Sequence, residues 1–134
     1  MTKRAEIIAA AAKYLEAIVS HDPSEVPFAE HARRMEQGQP HGDTPDEIRA
    51  GLRASAMDVV TGMGPVRWVV EEASDQAVAI FEVSLSHGGT CRLAERFRVR
   101  SGLIEEIEAI FTIDALPMRG YWIGAAAVSS EGRP

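Results

Sequence analysis

Cysteine occurs once in the 134 residues, as Cys91, so no intramolecular disulfide can staple the chain. Long apolar runs are missing too: none approaches the roughly 20 residues that a membrane-spanning helix needs. Basic residues are in the minority, 14 Lys and Arg against 20 Asp and Glu for a net charge of -6, and they are scattered among acids. Without a basic stripe, nucleic acid and anionic membranes are not expected as partners. The start, MTKRAEII, is basic but runs into an amphipathic segment with Lys13 and Glu16, and it lacks a signal-peptide cleavage pattern. A soluble cytoplasmic protein is the expectation. Internal repeats and low-complexity tracts are absent, and only SSEGRP, from about residue 129, reads as disordered. The length suits a single domain with a real core and no linker.

What is present begins with helix. In KRAEIIAAAAKYLEAIVS, residues 3–20, Ile7, Ala11, Tyr14 and Ile18 recur at helical spacing, and Ile8, Leu15 and Val19 widen the stripe. Asp22-Pro23 then pairs a capping residue with a proline suited to a first helical position, so DPSEVPF reads as a short helix or turn. ARRMEQGQP has the length of a strand and ends at Gly38 and Pro40. Thr44-Pro45-Asp46-Glu47 is a helix start with a capping box and acids in the first turn, and that helix should end by about Ser55.

From Val59 the pattern changes. VRWVVEEA, AVAIFEVSLS, RLAERFRVR and LIEEIEAIF are rich in Val, Ile and Phe and are separated by short polar turns, which predicts a meander of antiparallel strands. Helices first and sheet afterwards give an α+β domain, with a curved sheet wrapped around the N-terminal helices.

The turns suggest a register. His87-Gly88-Gly89-Thr90 suits a two-residue hairpin, since glycine takes the positive φ of both central positions. Glu82 would then face Glu95, Ile80 would face Phe97 and Val78 would face Val99. Around Ser101-Gly102-Leu103, a three-residue loop sets Phe97 beside Ile107, Glu95 beside Ala109, Arg98 against Glu106 and Arg96 against Glu108. That register is preferred to the two-residue one because it opposes unlike charges. Arg96, Arg98, Glu106 and Glu108 thus form a salt ladder on one face. Glu95 lies on the other, with Phe97, Val99, Ile107, Ala109 and Phe111. Two carboxyls opposed on an apolar face do not both ionise cheaply. Either a bulge turns Glu82 outward, or an arginine from elsewhere neutralises Glu95, or one carboxyl holds a proton near neutrality.

The opening helix with YLEAIVSHD, the strand ending near MEQG and the late hairpin ERFRVRSGLIEEIEAIF resemble the NTF2-like superfamily, in its SnoaL-like and ketosteroid-isomerase-like branch. The resemblance implies a cone of helices on a strongly bent, mostly antiparallel mixed sheet around a deep apolar pocket, and a homodimer packed sheet against sheet. Carried over residue by residue, it makes Tyr14 a donor to a substrate oxyanion and Glu95 the strand acid kept protonated as the second donor. Ketosteroid isomerase itself uses a carboxylic acid that an apolar site holds neutral. The family's general base falls here on Glu36 or Gln37 in RMEQGQP, and Met35 argues that the odd positions face inward, which would expose Glu36.

Other candidates are weaker. Gln37, Trp68, Ser84, Phe97, Ala109 and Phe111 are expected to contact substrate, and Tyr121 and Trp122 to line or cover a pocket. DALPMRGYWIGAAAV is placed over the mouth or in a dimer. His31, Glu36 and His41 lack the tight spacing of a metal site, so neither metal nor cofactor is expected. His21-Asp22 suits a cap better than a catalytic pair, and Cys91 is read as structural. Two functions compete. One is a small cofactor-independent enzyme doing general acid/base chemistry on a hydrophobic oxygenated molecule such as a steroid, polyketide, terpenoid or aromatic, by isomerisation, dehydration, cyclisation or epoxide hydrolysis. Glu36, or less well Glu82, would be its base. The other is a non-catalytic module of the same shape that binds a ligand or a protein. The directions of Glu36, Glu82 and Glu95 separate the two.

Overall fold

A computed structural model describes residues 1–114. Its elements are α1 (Lys3–Ser20), β1 (Phe28–Glu36), β2 (Gln39–Pro40), α2 (Pro45–Arg53), β3 (Val60–Met63), β4 (Arg67–Glu71), β5 (Gln76–Leu85), β6 (Thr90–Arg100) and β7 (Leu103–Asp114). The tail from 115 onward, with Tyr121, Trp122 and the segment expected at the pocket mouth, lies outside the described residues.

Both helices are capped by side chains at their starts. The Thr2 hydroxyl accepts from Ala5 N, and α1 ends at His21, whose left-handed backbone (φ 62°) lets its N–H donate to Ala17 O. His21 is thus a cap. The face carrying Ile7, Ala11, Tyr14 and Ile18 is buried, as the spacing predicts. Asp22 accepts from Ser24 N and makes a turn rather than a helix, because Pro23 and Pro27 leave too few residues to complete one. In α2 the Thr44 hydroxyl accepts from Glu47 N; the Glu47 carboxylate reaches back past the cap to Asp43 N at 2.7 Å. Ile48 and Leu52 are its buried side chains.

The sheet is mixed, in the order β2-β1-β7-β6-β5-β3, with β4 following β3 along the same edge of β5. β1 runs parallel to β7 and all other pairs are antiparallel, so the first strand closes against the last. Curvature brings the inner face around α1. There Tyr14 meets Phe97 at 5.6 Å and Phe28 at 6.4 Å between ring centroids, both edge to face.

The register of the β5–β6 hairpin differs from the expected one. Gly88 N donates to Leu85 O and Leu85 N to Gly89 O, each at 2.9 Å, so Ser86, His87 and Gly88 form a three-residue loop with Gly88 at φ 96°. Ala79, not Glu82, is therefore opposite Glu95, and Glu82 is opposite Arg92. Burial explains the choice. This register turns Ala77, Ala79, Phe81, Val83 and Leu85 inward; the two-residue loop would have buried Glu82 and Ser84 instead. Glu82 is consequently exposed and accepts from Arg92 Nε at 2.7 Å.

In the β6–β7 hairpin the expected pairs Glu95 with Ala109, Phe97 with Ile107, Arg96 with Glu108 and Arg98 with Glu106 are all present. The tip nevertheless is a two-residue turn, Ser101 and Gly102 both having positive φ, and a register shift after Arg98 absorbs the extra residue. On the outer face Arg96 Nη2 lies 2.7 Å from Glu106 and 3.1 Å from Glu108. The ladder is present, with Arg96 taking both acids.

Candidate active site

A cavity of about 760 Å³ opens between α1, α2 and the inner face of the sheet. Ile18, Leu52, Val60, Val83, Leu93 and Phe111 make much of its wall apolar, while Tyr14, Arg34, Glu36 and Glu95 gather as its polar group. Such a shape, apolar with a few convergent polar groups, is that of a small-molecule site.

The polar group depends on the direction of β1. Its pairing with β7 shifts between Phe28 and Arg33, and after that irregularity Ala32, Arg34 and Glu36 point inward. Met35 suggests the opposite sense, but it pairs opposite the outward-facing Glu108 and is itself on the outer face, only half-buried, so its hydrophobicity misassigns the alternation. Glu36 thus faces the cavity. Arg34, which no motif singled out, lies between two acids: its Nη1 is 2.6 Å from Glu36 Oε1 and its Nη2 is 3.7 Å from Glu95 Oε2. A neutralising arginine was one of the open alternatives for Glu95, and β1 supplies it.

Glu95 is fully buried, and neither carboxyl oxygen has a hydrogen-bond partner among the described residues. Burial pushes its pKa up to about 7; Arg34 draws it down and the charge of Glu36 pushes it up again. Near neutrality this carboxyl is therefore divided between its acid and ionised forms. Tyr14 is 2% exposed, and burial, followed by the charge of Glu95, raises its pKa well above the ordinary tyrosine value. Its hydroxyl keeps its proton and is available as a donor. Burial pushes the Cys91 thiol up to about 11, with Glu95 and Glu36 adding to the effect, so this cavity-lining cysteine is no thiolate nucleophile.

The other expected site residues divide by direction. Tyr14, Glu36, Glu95 and Phe111 line the cavity. Phe97 and Ala109 are completely buried in the layer beneath, Phe97 against Tyr14 and Ala109 opposite Glu95. Glu82 and Ser84 are exposed on the other side of the sheet, a consequence of the three-residue loop, so they leave the site. Trp68 on β4 packs against the core away from the cavity. Gln37 turns from the cavity and clamps β7: its Nε2 donates to Phe111 O and its Oε1 accepts from Phe111 N, both at 2.9 Å. Gln37→Ala is expected to lower unfolding stability by about 1–2 kcal/mol in urea titrations, from two lost hydrogen bonds, with no pH dependence. His31 is exposed on the outer side, while His41 reaches the rim with Nε2 3.7 Å from Glu36 Oε1. Among the described residues no group of three potential ligands is placed to hold a metal ion, and no helix is long and apolar enough to cross a membrane.

Helices laid on a curved mixed sheet around an apolar cavity define an NTF2-like cone, and solved structures share it. A protein from Kribbella flavida DSM 17836 is 16% identical, with a TM-score of 0.66 over 93% of this chain and 97% of that one. SalBIII, described as an epoxide hydrolase/cyclase-like enzyme of pyran ring formation in salinomycin, is 13% identical with a TM-score of 0.66, over 84% of this chain and 95% of its own. An LEH-like epoxide hydrolase of M. tuberculosis is 15% identical with a TM-score of 0.62, over 81% and 84%. At such identities the likeness is one of fold. By sequence the chain belongs to the family described as Domain of unknown function (DUF8021), whose profile matches residues 1–111. Comparison with curated proteins gives no match.

Proposed function

We propose that this protein is a cofactor-independent enzyme that opens an epoxide, or a comparably strained cyclic ether, on a neutral apolar molecule by general acid/base catalysis. The observation that carries this reading is the bridge of Arg34 between Glu36 and the buried Glu95 in the cavity. Two carboxyls of unlike environment, held around one guanidinium, supply a base and an acid to the same molecule. Glu36 takes a proton from water as the water oxygen bonds to a ring carbon. The carbon–oxygen bond breaks, and Glu95 gives its proton to the departing oxygen, leaving a diol. A hydroxyl of the substrate in place of water would give a cyclic ether by the same steps. Tyr14 donates to the same oxygen as charge builds there.

The shape agrees with this chemistry. The apolar wall favours a hydrophobic skeleton, and Arg34 already has two acids, so a ligand need not bring a carboxylate. Two structural neighbours described as epoxide hydrolase or epoxide hydrolase/cyclase-like point the same way. A homodimer through the outer sheet face belongs to this reading, since Val69 and Ile110 are exposed there.

The test is turnover of a panel of apolar epoxides in water enriched in oxygen-18. One labelled hydroxyl per diol is expected, and Tyr14→Phe should slow the reaction by about 10²-fold, the lower end for a lost donor. A protein that binds these compounds without converting them would return the pocket to the ligand-binding alternative.

A further inference from the structure

The proposed chemistry leaves both carboxyls in the wrong state for a second cycle. Each ring opening removes a proton from Glu95 and deposits one from water on Glu36, so Glu36 must shed a proton and Glu95 regain one. The direct route is obstructed. Arg34 stands between them, 2.6 Å from Glu36 and 3.7 Å from Glu95, and a guanidinium does not give up its protons in a protein.

Glu36 has another neighbour. Its side chain is 28% exposed, and on that side His41 Nε2 lies 3.7 Å from Oε1, with the imidazole itself 58% exposed at the rim. A small side-chain rotation closes that gap to a hydrogen bond. The backbone holds His41 there whatever its side chain does: His41 N donates to Arg34 O and Arg34 N to Gly42 O, each at 2.8 Å. Gly42 fixes the next step into α2, since its φ is 123° and a Cβ would lie 3.0 Å from Ile48 Cγ1. The other charged or titratable groups sharing the cavity are Tyr14 on α1, Arg34 on β1, Glu47 on α2, His87 in the β5–β6 loop, and Cys91 and Glu95 on β6.

We infer that His41 is the proton outlet of Glu36: between turnovers its imidazole accepts the proton from Glu36 and passes it to bulk water. Glu95 is reloaded from water that enters once the product has left. The inference rests on the acid/base reading above, which it completes into a cycle. It assigns His41 to the reset, not to the ring opening, and the two are separable kinetically.

The experiment uses styrene oxide and cyclohexene oxide with the full chain in dilute buffer. His41→Gln is expected to leave the single-turnover rate and kcat/KM unchanged while kcat falls about tenfold. Adding about 50 mM imidazole should restore most of the lost kcat, since a free general base can take over the proton transfer. An undiminished kcat in dilute buffer, or a loss shared by the single-turnover rate, overturns the outlet and leaves the acid/base reading standing. If the native protein opens neither epoxide, or Glu36→Gln keeps full turnover, the acid/base reading falls and the outlet with it.

Discussion

Glu95→Gln is expected to lower epoxide turnover at pH 7 by about 10²- to 10⁴-fold, the range for losing a positioned proton donor, while making the fold more stable at alkaline pH. The two effects have one cause. The carboxyl is wholly buried without a hydrogen-bond partner among the described residues, and its pKa rises from 4.5 to about 7. Between those values the folded chain holds a proton that the unfolded chain has released, so stability declines as pH rises through that window. The contribution is intact below about pH 4.5 and fully lost above about pH 7, a difference on the order of 3 kcal/mol. An amide of the same shape does not titrate. Denaturant unfolding of both proteins at pH 4.5 and pH 8 isolates the effect as a difference of differences, because the lowered pKa values of Asp75 and Glu106 act in the opposite direction equally in both. Glutamine that gains nothing at pH 8 relative to pH 4.5 would show that Glu95 is ionised at little cost in the native fold.

The placement of Glu95 was legible in the sequence for a reason that its supposed partner was not. Its face follows from the β6–β7 register, where unlike charges on one side and apolar residues on the other agree on a single pairing. The β5–β6 loop offered no such agreement at its tip. Gly88-Gly89 permits two turn types, and the choice rests on which alternate set of β5 is better buried, a tertiary matter that sends Glu82 outward. Arg34 was hidden differently. Met35 is an apolar residue on the outer face, opposite Glu108, so hydrophobicity assigned the inward side of β1 to the wrong residues and an arginine in a run of charges looked like surface. Helix α1 was the easiest element, because its stripe and the cap at His21 are local in sequence.

Arg34 is the more revealing residue to change, since it separates charge from geometry. Arg34→Met should reduce kcat by about 10²-fold or more through loss of the fixed charge between the two carboxyls. It should also move the pH–rate profile. Arg34 draws the pKa of Glu95 down from where burial would set it. Without that cation the acid form persists to higher pH, and the alkaline limb, which follows ionisation of Glu95, shifts upward from its position near 7. Arg34→Lys keeps the charge but concentrates it at one ammonium, which cannot reach Glu36 and Glu95 in the forked geometry of the guanidinium. Its alkaline limb should therefore stay closer to the native position while kcat remains low, a combination that mere unfolding of β1 would not produce. A lysine variant with native kcat would reduce the bridge to simple electrostatics. A methionine variant with an unmoved limb would mean that the titration seen in turnover does not belong to Glu95.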